Sequence, residues 1–152
     1  MIRHTLTLFA LSFALGGCNS EPKASVKDYM AKAVQPTAEI YWNSVQFISD
    51  EQGDHEIFPR TDAEWEEVRK AAAHLGEIGA ELKEPKYAEG RGAAWIDFAD
   101  GLIEVSGQAQ RAARDKSTDA VFEVGGTIYS VCSACHQAYP PAEGLEGENG
   151  PD

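Results

Sequence analysis

The chain has 152 residues, of which 25 are acidic and 13 are lysine or arginine, and its formal net charge is −12. This charge excludes a general nucleic-acid-binding surface and adhesion to anionic lipid, and it favours partners that present basic residues. The length suits one domain with its own hydrophobic core and leaves no room for a second.

The first 17 residues are typical of an export signal. Arg3 precedes an apolar stretch at residues 6–15, and small residues follow that stretch. The stretch is too short to span a bilayer as a mature helix. Residues 1–17 are therefore predicted to be a signal peptide whose removal leaves 152 − 17 = 135 residues that act outside the cytoplasm.

The sequence Leu-Gly-Gly-Cys at residues 15–18 resembles the lipobox of bacterial lipoproteins, in which the cysteine becomes the lipidated first residue of the mature chain. The resemblance implies that Cys18 is lipidated and that residues 18–24 form a short linker. Asn19 rather than aspartate follows Cys18, which in a Gram-negative organism implies the outer membrane, facing the periplasm. The alternative is an ordinary cleaved signal that contains a cysteine near its end.

Two helices are predicted in the first half of the mature chain from apolar residues spaced three and four apart. The first covers residues 26–45, where Pro36 predicts a kink or a break just before it. Residues 52–60 are predicted to be a loop. A capping box at residues 61–64 begins the second helix, which should end before Pro85.

Two further helices follow with the same spacing of apolar residues. A glycine-containing loop at residues 90–92 leads to the third helix, which covers residues 95–112. A turn at residues 115–117 separates it from the fourth helix, which contains the apolar residues from Val121 onward. Pro140 and the proline after it should end this helix.

Four amphipathic helices joined by modest loops predict an all-α fold, an antiparallel four-helix bundle over residues 25–140. No segment shows a convincing alternation of apolar and polar residues, so no strand is predicted. Residues 141–152 contain few apolar side chains and are predicted to be a disordered acidic tail. Bundles of this kind hold cofactors between facing helices.

The fourth helix contains the run Cys-x-x-Cys-His at Cys132, Cys135 and His136. On a helix, these three side chains project from one face within about one turn. Two thiols at this spacing can form thioethers with the two vinyl groups of a haem, while the histidine ligates its iron. The run therefore predicts one haem c, attached through Cys132 and Cys135.

Zinc sites and thiol redox pairs also use the Cys-x-x-Cys spacing. A structural zinc site needs four protein ligands, and the one further cysteine, Cys18, lies more than a hundred residues away. A disulfide or a thiol oxidoreductase is expected near a β-α-β pattern, for which the strand signals are missing. Both alternatives remain open beside haem attachment.

A four-helix bundle with a single Cys-x-x-Cys-His near the end of its last helix resembles the class II c-type cytochromes, the cytochrome c-prime family and its low-spin relatives. The residues that support the resemblance are Cys132, Cys135, His136, Tyr139 and Met30. The resemblance implies a periplasmic monohaem protein that passes single electrons to a redox partner and is not an enzyme. Dimers are common in this family, so a homodimer is compatible with it.

The family has two branches, which differ in the group that lies opposite the histidine across the haem iron. In the low-spin branch a methionine early in the first helix ligates the iron, whereas in the c-prime branch this position is open and binds nitric oxide or carbon monoxide. Met30 occupies the low-spin position, so the resemblance implies an iron ligated by His136 and Met30 in an electron carrier. The alternatives are a five-coordinate gas-binding protein and a methionine that only fills the core. Pro140 stands where c-prime proteins often have a basic residue.

Other polar and aromatic residues are secondary candidates. Three cations could bind the haem propionates through charge-assisted bonds: Lys27, Lys32 and Arg91. His55 and His74 are expected at the surface, with ligation of the iron as the alternative. The tryptophans, Trp42, Trp65 and Trp95, are expected to fill the core rather than to relay electrons.

Overall fold

A computed structural model describes residues 25–141 of the chain. The predicted signal peptide, the predicted lipidation site Cys18 with its linker, and residues 142–152 of the predicted tail lie outside the described residues. The described part is mostly helical, as predicted, and it also contains one small antiparallel sheet. Within residues 25–141, no helix combines the length and the apolar content needed to cross a membrane.

The first helical segment consists of α1 (Val26–Tyr29), a π-helical turn (Met30–Val34) and α2 (Gln35–Trp42). The Ser25 hydroxyl caps it by accepting a hydrogen bond from the Asp28 amide at 3.2 Å. Pro36 has no amide hydrogen to donate, and directly before it the Gln35 amide donates to the Met30 carbonyl, five residues earlier. The interruption predicted before Pro36 thus takes the form of a π turn.

A β-hairpin follows the first helical segment. Its strands are β1 (Gln46–Asp50) and β2 (Gly53–Ile57), with Gln46 opposite Ile57 and Asp50 opposite Gly53. Gly53 has a φ of +117°, which side-chain-bearing residues rarely adopt, and this permits the tight turn. The predictions of a loop at residues 52–60 and of no strand were wrong. Both strands are largely exposed, so the one-sided burial that produces an alternating apolar pattern is absent.

The next helix, α3 (Asp62–Leu82), begins at the predicted capping box. The Thr61 hydroxyl accepts from the Glu64 amide at 3.2 Å, and the Glu64 carboxylate accepts from the Thr61 amide at 2.8 Å. The helix ends before Pro85, as predicted. Pro85 then begins a short helix that was not predicted, α4 (Pro85–Ala88), where its fixed φ suits the first helical position.

Two long helices complete the described part, α5 (Ala93–Arg114) and α6 (Thr118–Ala138). Helix α3 packs along α5, α5 packs along α6, and α2 packs along α3, whereas α2 and α6 touch over a short stretch only. The most deeply buried large side chains include Tyr41, Leu75, Ile78, Val121 and Ile128. The limited contact between the first helical segment and α6 leaves a seam between them, and the predicted site residues lie on both sides of this seam.

The close packing of α3 on α5 requires glycine at position 79. A Cβ atom at Gly79 would lie 2.8 Å from Cγ1 of Ile103 and 3.0 Å from the carbonyl oxygen of Ala99. We therefore expect Gly79→Ala to lower the free energy of unfolding by about 1 kcal/mol, because overpacking outweighs the gain in helix propensity. Urea unfolding followed by circular dichroism measures this loss.

Gly126→Ala on α6 is the matched control for Gly79→Ala. Among residues 25–141, no atom beyond the local helix backbone lies within 4 Å of a Cβ atom at Gly126, so alanine there should raise the free energy of unfolding by about 0.5–1 kcal/mol. Equal stabilisation by both substitutions would contradict the close approach of α3 and α5.

Candidate functional site

The two cysteines of the Cys-x-x-Cys-His run extend the core-facing stripe of α6. The fully buried residues of this helix are Val121, Gly125 and Ile128. Cys132 and Cys135 follow at the same three- and four-residue spacing, and both are half-buried free thiols that pack against the core. His136 is exposed at the edge of the stripe. The local arrangement on α6 therefore places all three side chains at the seam.

Met30 and His136 are far apart in the sequence, yet they line the same two concave spaces. The larger space, here called the outer groove, has a volume of about 490 Å³ and lies between the first helical segment and the end of α6. The smaller, the inner cavity, has a volume of about 50 Å³. Cys135 lines both spaces, and Cys132 lines the inner cavity. The outer groove falls within the range of about 300–1,000 Å³ typical of cofactor sites.

The inner cavity is largely apolar. Besides the thiols, Met30 and His136, its lining includes Val34, Leu82, Trp95, Phe98, Leu102 and Val131. These side chains come from the first helical segment, α3, α5 and α6, so four parts of the fold enclose one end of the seam. Such a lining keeps water away from a group bound between Met30 and His136, and it lowers the local dielectric constant.

Arg91 is held firmly at the rim of the outer groove. Its guanidinium carbon lies 4.5 Å from the centroid of the Trp95 ring, and its Nε donates to the Tyr87 carbonyl at 2.8 Å. The Tyr139 hydroxyl donates to the Arg91 carbonyl at 2.8 Å, and the Tyr139 ring meets Trp95 edge-on at 5.2 Å. Tyr139, one turn after the cysteines, thus fixes the backbone that presents the Arg91 cation.

Two of the three predicted propionate-binding cations line the outer groove. Lys27 and Arg91 contribute to its walls. Lys32 does not, and its ammonium instead pairs with the exposed Asp28 carboxylate at 3.3 Å. The outer groove thus combines two cations with the Cys135 thiol and the His136 imidazole, and the second thiol, Cys132, lines the inner cavity. Taken together, these groups are of the kinds that would bind a haem, which has two carboxylates, two vinyl groups and an iron.

The two other histidines within residues 25–141 lie away from the seam. His55 on β2 is exposed and hydrogen-bonded to Asp50 at 2.9 Å, while His74 on α3 is exposed and hydrogen-bonded to Glu77 at 3.0 Å. Neither imidazole lines the outer groove or the inner cavity. The expected surface location of both residues is confirmed.

Two residues of the site were not predicted from the sequence. Tyr87 on α4 accepts the hydrogen bond from Arg91 and stacks on Tyr29 at a centroid distance of 4.7 Å. Phe98 on α5 lines the inner cavity and lies edge-on to Tyr139 at 6.3 Å. Proline at the first position of α4 was the available signal for Tyr87, whereas Phe98 had no signal beyond its core spacing.

Burial raises the pKa of both thiols. For Cys132, burial is the main cause and the neighbouring Cys135 adds to it. For Cys135, burial outweighs the opposing effect of the Arg91 cation, so its pKa is also raised. Thiol oxidoreductases require the opposite, a lowered pKa that produces a thiolate at neutral pH. The environment of the two cysteines therefore does not favour a nucleophilic redox pair.

The haem-free chain is expected to react slowly with iodoacetamide near neutral pH, because the thiolate is the nucleophile and a raised pKa reduces its fraction. The pH of half-maximal alkylation rate should lie above that of the same chain unfolded in urea, in which burial is lost. Mass spectrometry over a pH series measures both rates. A half-maximal rate at lower pH in the folded chain would indicate activated thiols and support a redox pair.

Comparisons with known proteins do not assign a family. No protein-family model matches the chain, and neither the curated proteins nor the solved structures contain a significant match. Across residues 25–141, the structure contains no group of three or more His, Cys, Asp or Glu side chains that could hold a metal ion by themselves.

Proposed function

We propose that this chain is a monohaem c-type cytochrome that carries single electrons in the bacterial cell envelope. In this proposal, Cys132 and Cys135 hold the haem through thioethers, and His136 and Met30 ligate its iron. The observation that supports it best is that Met30 and His136, from opposite sides of the seam, line the same two spaces beside the cysteines.

The rest of the site is compatible with a bound haem. The outer groove has the volume of a cofactor pocket, Lys27 and Arg91 supply counter-charges at its wall, and the inner cavity supplies an apolar surface. When bound, the haem would supply one-electron chemistry. The chain would tune it through its axial ligands, through burial and through the charge of Arg91. We propose no enzymatic activity.

Met30 suits the role of a sixth ligand because of where the first helical segment places it. It is half-buried, it begins the π-helical turn, and its carbonyl accepts the hydrogen bond that closes this turn. Short π-helical turns occur frequently at functional sites. If a thioether and an imidazole from the protein both ligated the iron, electron transfer would be favoured over gas binding, because no ligand position would be left open for a gas.

The proposed architecture is an antiparallel four-helix bundle formed by the first helical segment, α3, α5 and α6. The pairwise packing of α2 on α3, of α3 on α5 and of α5 on α6 supports it. The proposed location is the periplasmic face of the outer membrane, through a lipid on Cys18, and this rests on the lipobox-like sequence alone. The acidic surface supports a redox partner with a basic patch and no nucleic acid. A homodimer is compatible with the proposal.

The inner cavity supports a second candidate function, a five-coordinate haem protein that binds nitric oxide or carbon monoxide. Its volume of about 50 Å³ exceeds the ~10–15 Å³ that one water-sized molecule requires. Its lining is apolar, which suits a diatomic gas. In this alternative, Met30 borders the gas without ligating the iron.

The visible absorption spectrum of the exported protein tests both functions. It should be recorded oxidised, reduced, and reduced under carbon monoxide, from a host that attaches c-type haem. The electron carrier predicts a low-spin spectrum that carbon monoxide does not change. A high-spin spectrum that shifts with the gas would support the five-coordinate alternative, and a spectrum without haem bands would exclude both functions.

A further inference from the structure

A separate groove of about 450 Å³ lies between the end of α2, β1 and the first half of α6. We call it the aromatic groove, because its walls include Trp42, Phe47, Phe122 and Tyr129. Phe122 meets Phe47 edge-on at a centroid distance of 5.0 Å, and Tyr129 meets Trp42 edge-on at 6.2 Å. The aromatic residues from the two sides of the seam therefore form one continuous surface.

This surface is both exposed and well supported. Phe47, Phe122 and Tyr129 are 47%, 53% and 63% exposed, respectively. Beneath them, the Trp42 indole donates to the Gly125 carbonyl at 3.0 Å and so ties α2 to α6. Single apolar side chains are common on protein surfaces. A group of solvent-exposed aromatic side chains that pack against one another is instead typical of an interaction site.

The segments that form the aromatic groove contain several carboxylates but no lysine or arginine. Residues 35–57 and 118–138, which contain all of its lining, include no lysine or arginine. They include seven carboxylates: Glu39, Asp50, Glu51, Asp54, Glu56, Asp119 and Glu123. Of the cations that flank these ranges, Lys116 pairs with Asp62 at 2.6 Å, and Arg60 lies over the Phe58 ring. The lining of the groove is therefore uncharged, and the segments that form it carry carboxylates but no lysine or arginine.

This charge distribution indicates which kind of partner the aromatic groove would bind. A second copy of the chain would bring two sets of these acidic segments together, and an anionic lipid surface would be repelled in the same way. A protein with an apolar patch bordered by lysine or arginine would instead match both the rings and the charges. The aromatic groove thus fits a basic protein better than it fits a copy of itself or a membrane.

The groove is also close to the proposed haem attachment. Tyr129 precedes Cys132 by three residues on the same helix, which is a rise of about 4.5 Å along the axis. A protein seated against Tyr129 would therefore lie beside the residues that hold the cofactor. This proximity indicates a redox protein among the basic proteins that the surface could accept.

We propose that the aromatic groove is the docking surface for a basic redox protein. The proposal rests on the proposed function, since a redox partner has a role only if the chain binds haem. Docking here would be transient, as is usual for electron-transfer pairs, and would weaken with salt because opposite charges attract across the interface.

The binding test uses mitochondrial cytochrome c, a small lysine-rich redox protein, as the probe. Its Kd for the purified haem-loaded chain is measured by calorimetry at low and high salt. Phe122→Ser and Tyr129→Ser should each weaken binding by about tenfold, within the range covered by single interface substitutions. Ile40→Ser is the matched control, because Ile40 is 55% exposed on α2 but does not line the groove. It should leave the Kd unchanged.

The rate of electron transfer gives a second readout. In each transfer, one electron would pass from this chain's reduced haem iron, which is thereby oxidised, to the oxidised iron of the probe, which is thereby reduced. The groove variants should slow reduction of the probe but not reduction of hexaammineruthenium, a small complex that needs no docking surface. Equal Kd values for wild type and both groove variants would overturn the docking proposal. So would a wild-type dimer in sedimentation that the groove variants dissociate, because a second copy would then occupy the groove.

Covalent haem staining of the denatured chain separates this proposal from the function on which it depends. A stained chain whose groove variants bind the probe like wild type would overturn docking at the groove and leave the cytochrome function intact. An unstained chain, from a host that attaches c-type haem, would overturn both.

Discussion

The double variant Cys132→Ser/Cys135→Ser is expected to lose covalently bound haem completely. Serine cannot form the thioether bonds, and no further cysteine is present within residues 25–141. The denatured wild-type chain should retain haem stain on a gel, and the denatured double variant should show none. Ser133→Ala, a change between the two cysteines, is the matched control and should stain like wild type.

The same double variant is expected to remain folded, which makes the loss of stain interpretable. Cys→Ser changes little volume, and both cysteines are half-buried near the end of α6 rather than in its fully buried centre. Far-ultraviolet circular dichroism should show retained helix. The variant should unfold at a lower temperature than the loaded wild type, because the contacts that the haem would make with Met30 and with the apolar lining exist only in the folded chain. Haem stain in the double variant would contradict attachment at these residues.

The features that could be predicted from the sequence are those set by short-range spacing. The capping box at Thr61 and Glu64 and the end of α3 before Pro85 depend on residues within one turn of each other. The same holds for Cys132 and Cys135, whose common face follows from helix geometry. In each case the residues that cause the structural feature lie within a few positions of one another, so the local sequence pattern was sufficient to predict the feature.

The features that were missed either leave no local pattern in the sequence or depend on distant parts of the chain. Both strands of the β-hairpin are largely exposed, so their sequences lack the alternation of apolar and polar residues that would have predicted them. Lys27 and Lys32 were equivalent candidates in the sequence, and only the rotation of the first helical segment places Lys27 at the outer groove and Lys32 beside Asp28. Likewise, no local spacing could indicate that Phe47 and Phe122 meet across the seam.

Met30→Ala is expected to convert a low-spin haem spectrum into a high-spin one that responds to carbon monoxide. The reason is that Met30 borders both the outer groove and the inner cavity together with His136, and alanine has no atom that could ligate iron. The oxidised spectrum and the reduced spectrum under carbon monoxide measure the change. Covalent attachment through the cysteines should be unaffected, so the haem stain should persist.

A new cavity alone could disturb the haem environment, so the Met30 experiment needs a control that creates space without removing a ligand. Val34→Ala serves this purpose, because Val34 is buried, lines the same inner cavity and has no donor atom. It should cost some stability, about 1–3 kcal/mol, and keep the low-spin spectrum. Met30→His should restore a low-spin spectrum, since imidazole ligates iron well. If wild type is already high-spin and Met30→Ala changes neither spectrum, the iron is five-coordinate, and the inner cavity is then better interpreted as a gas-binding site.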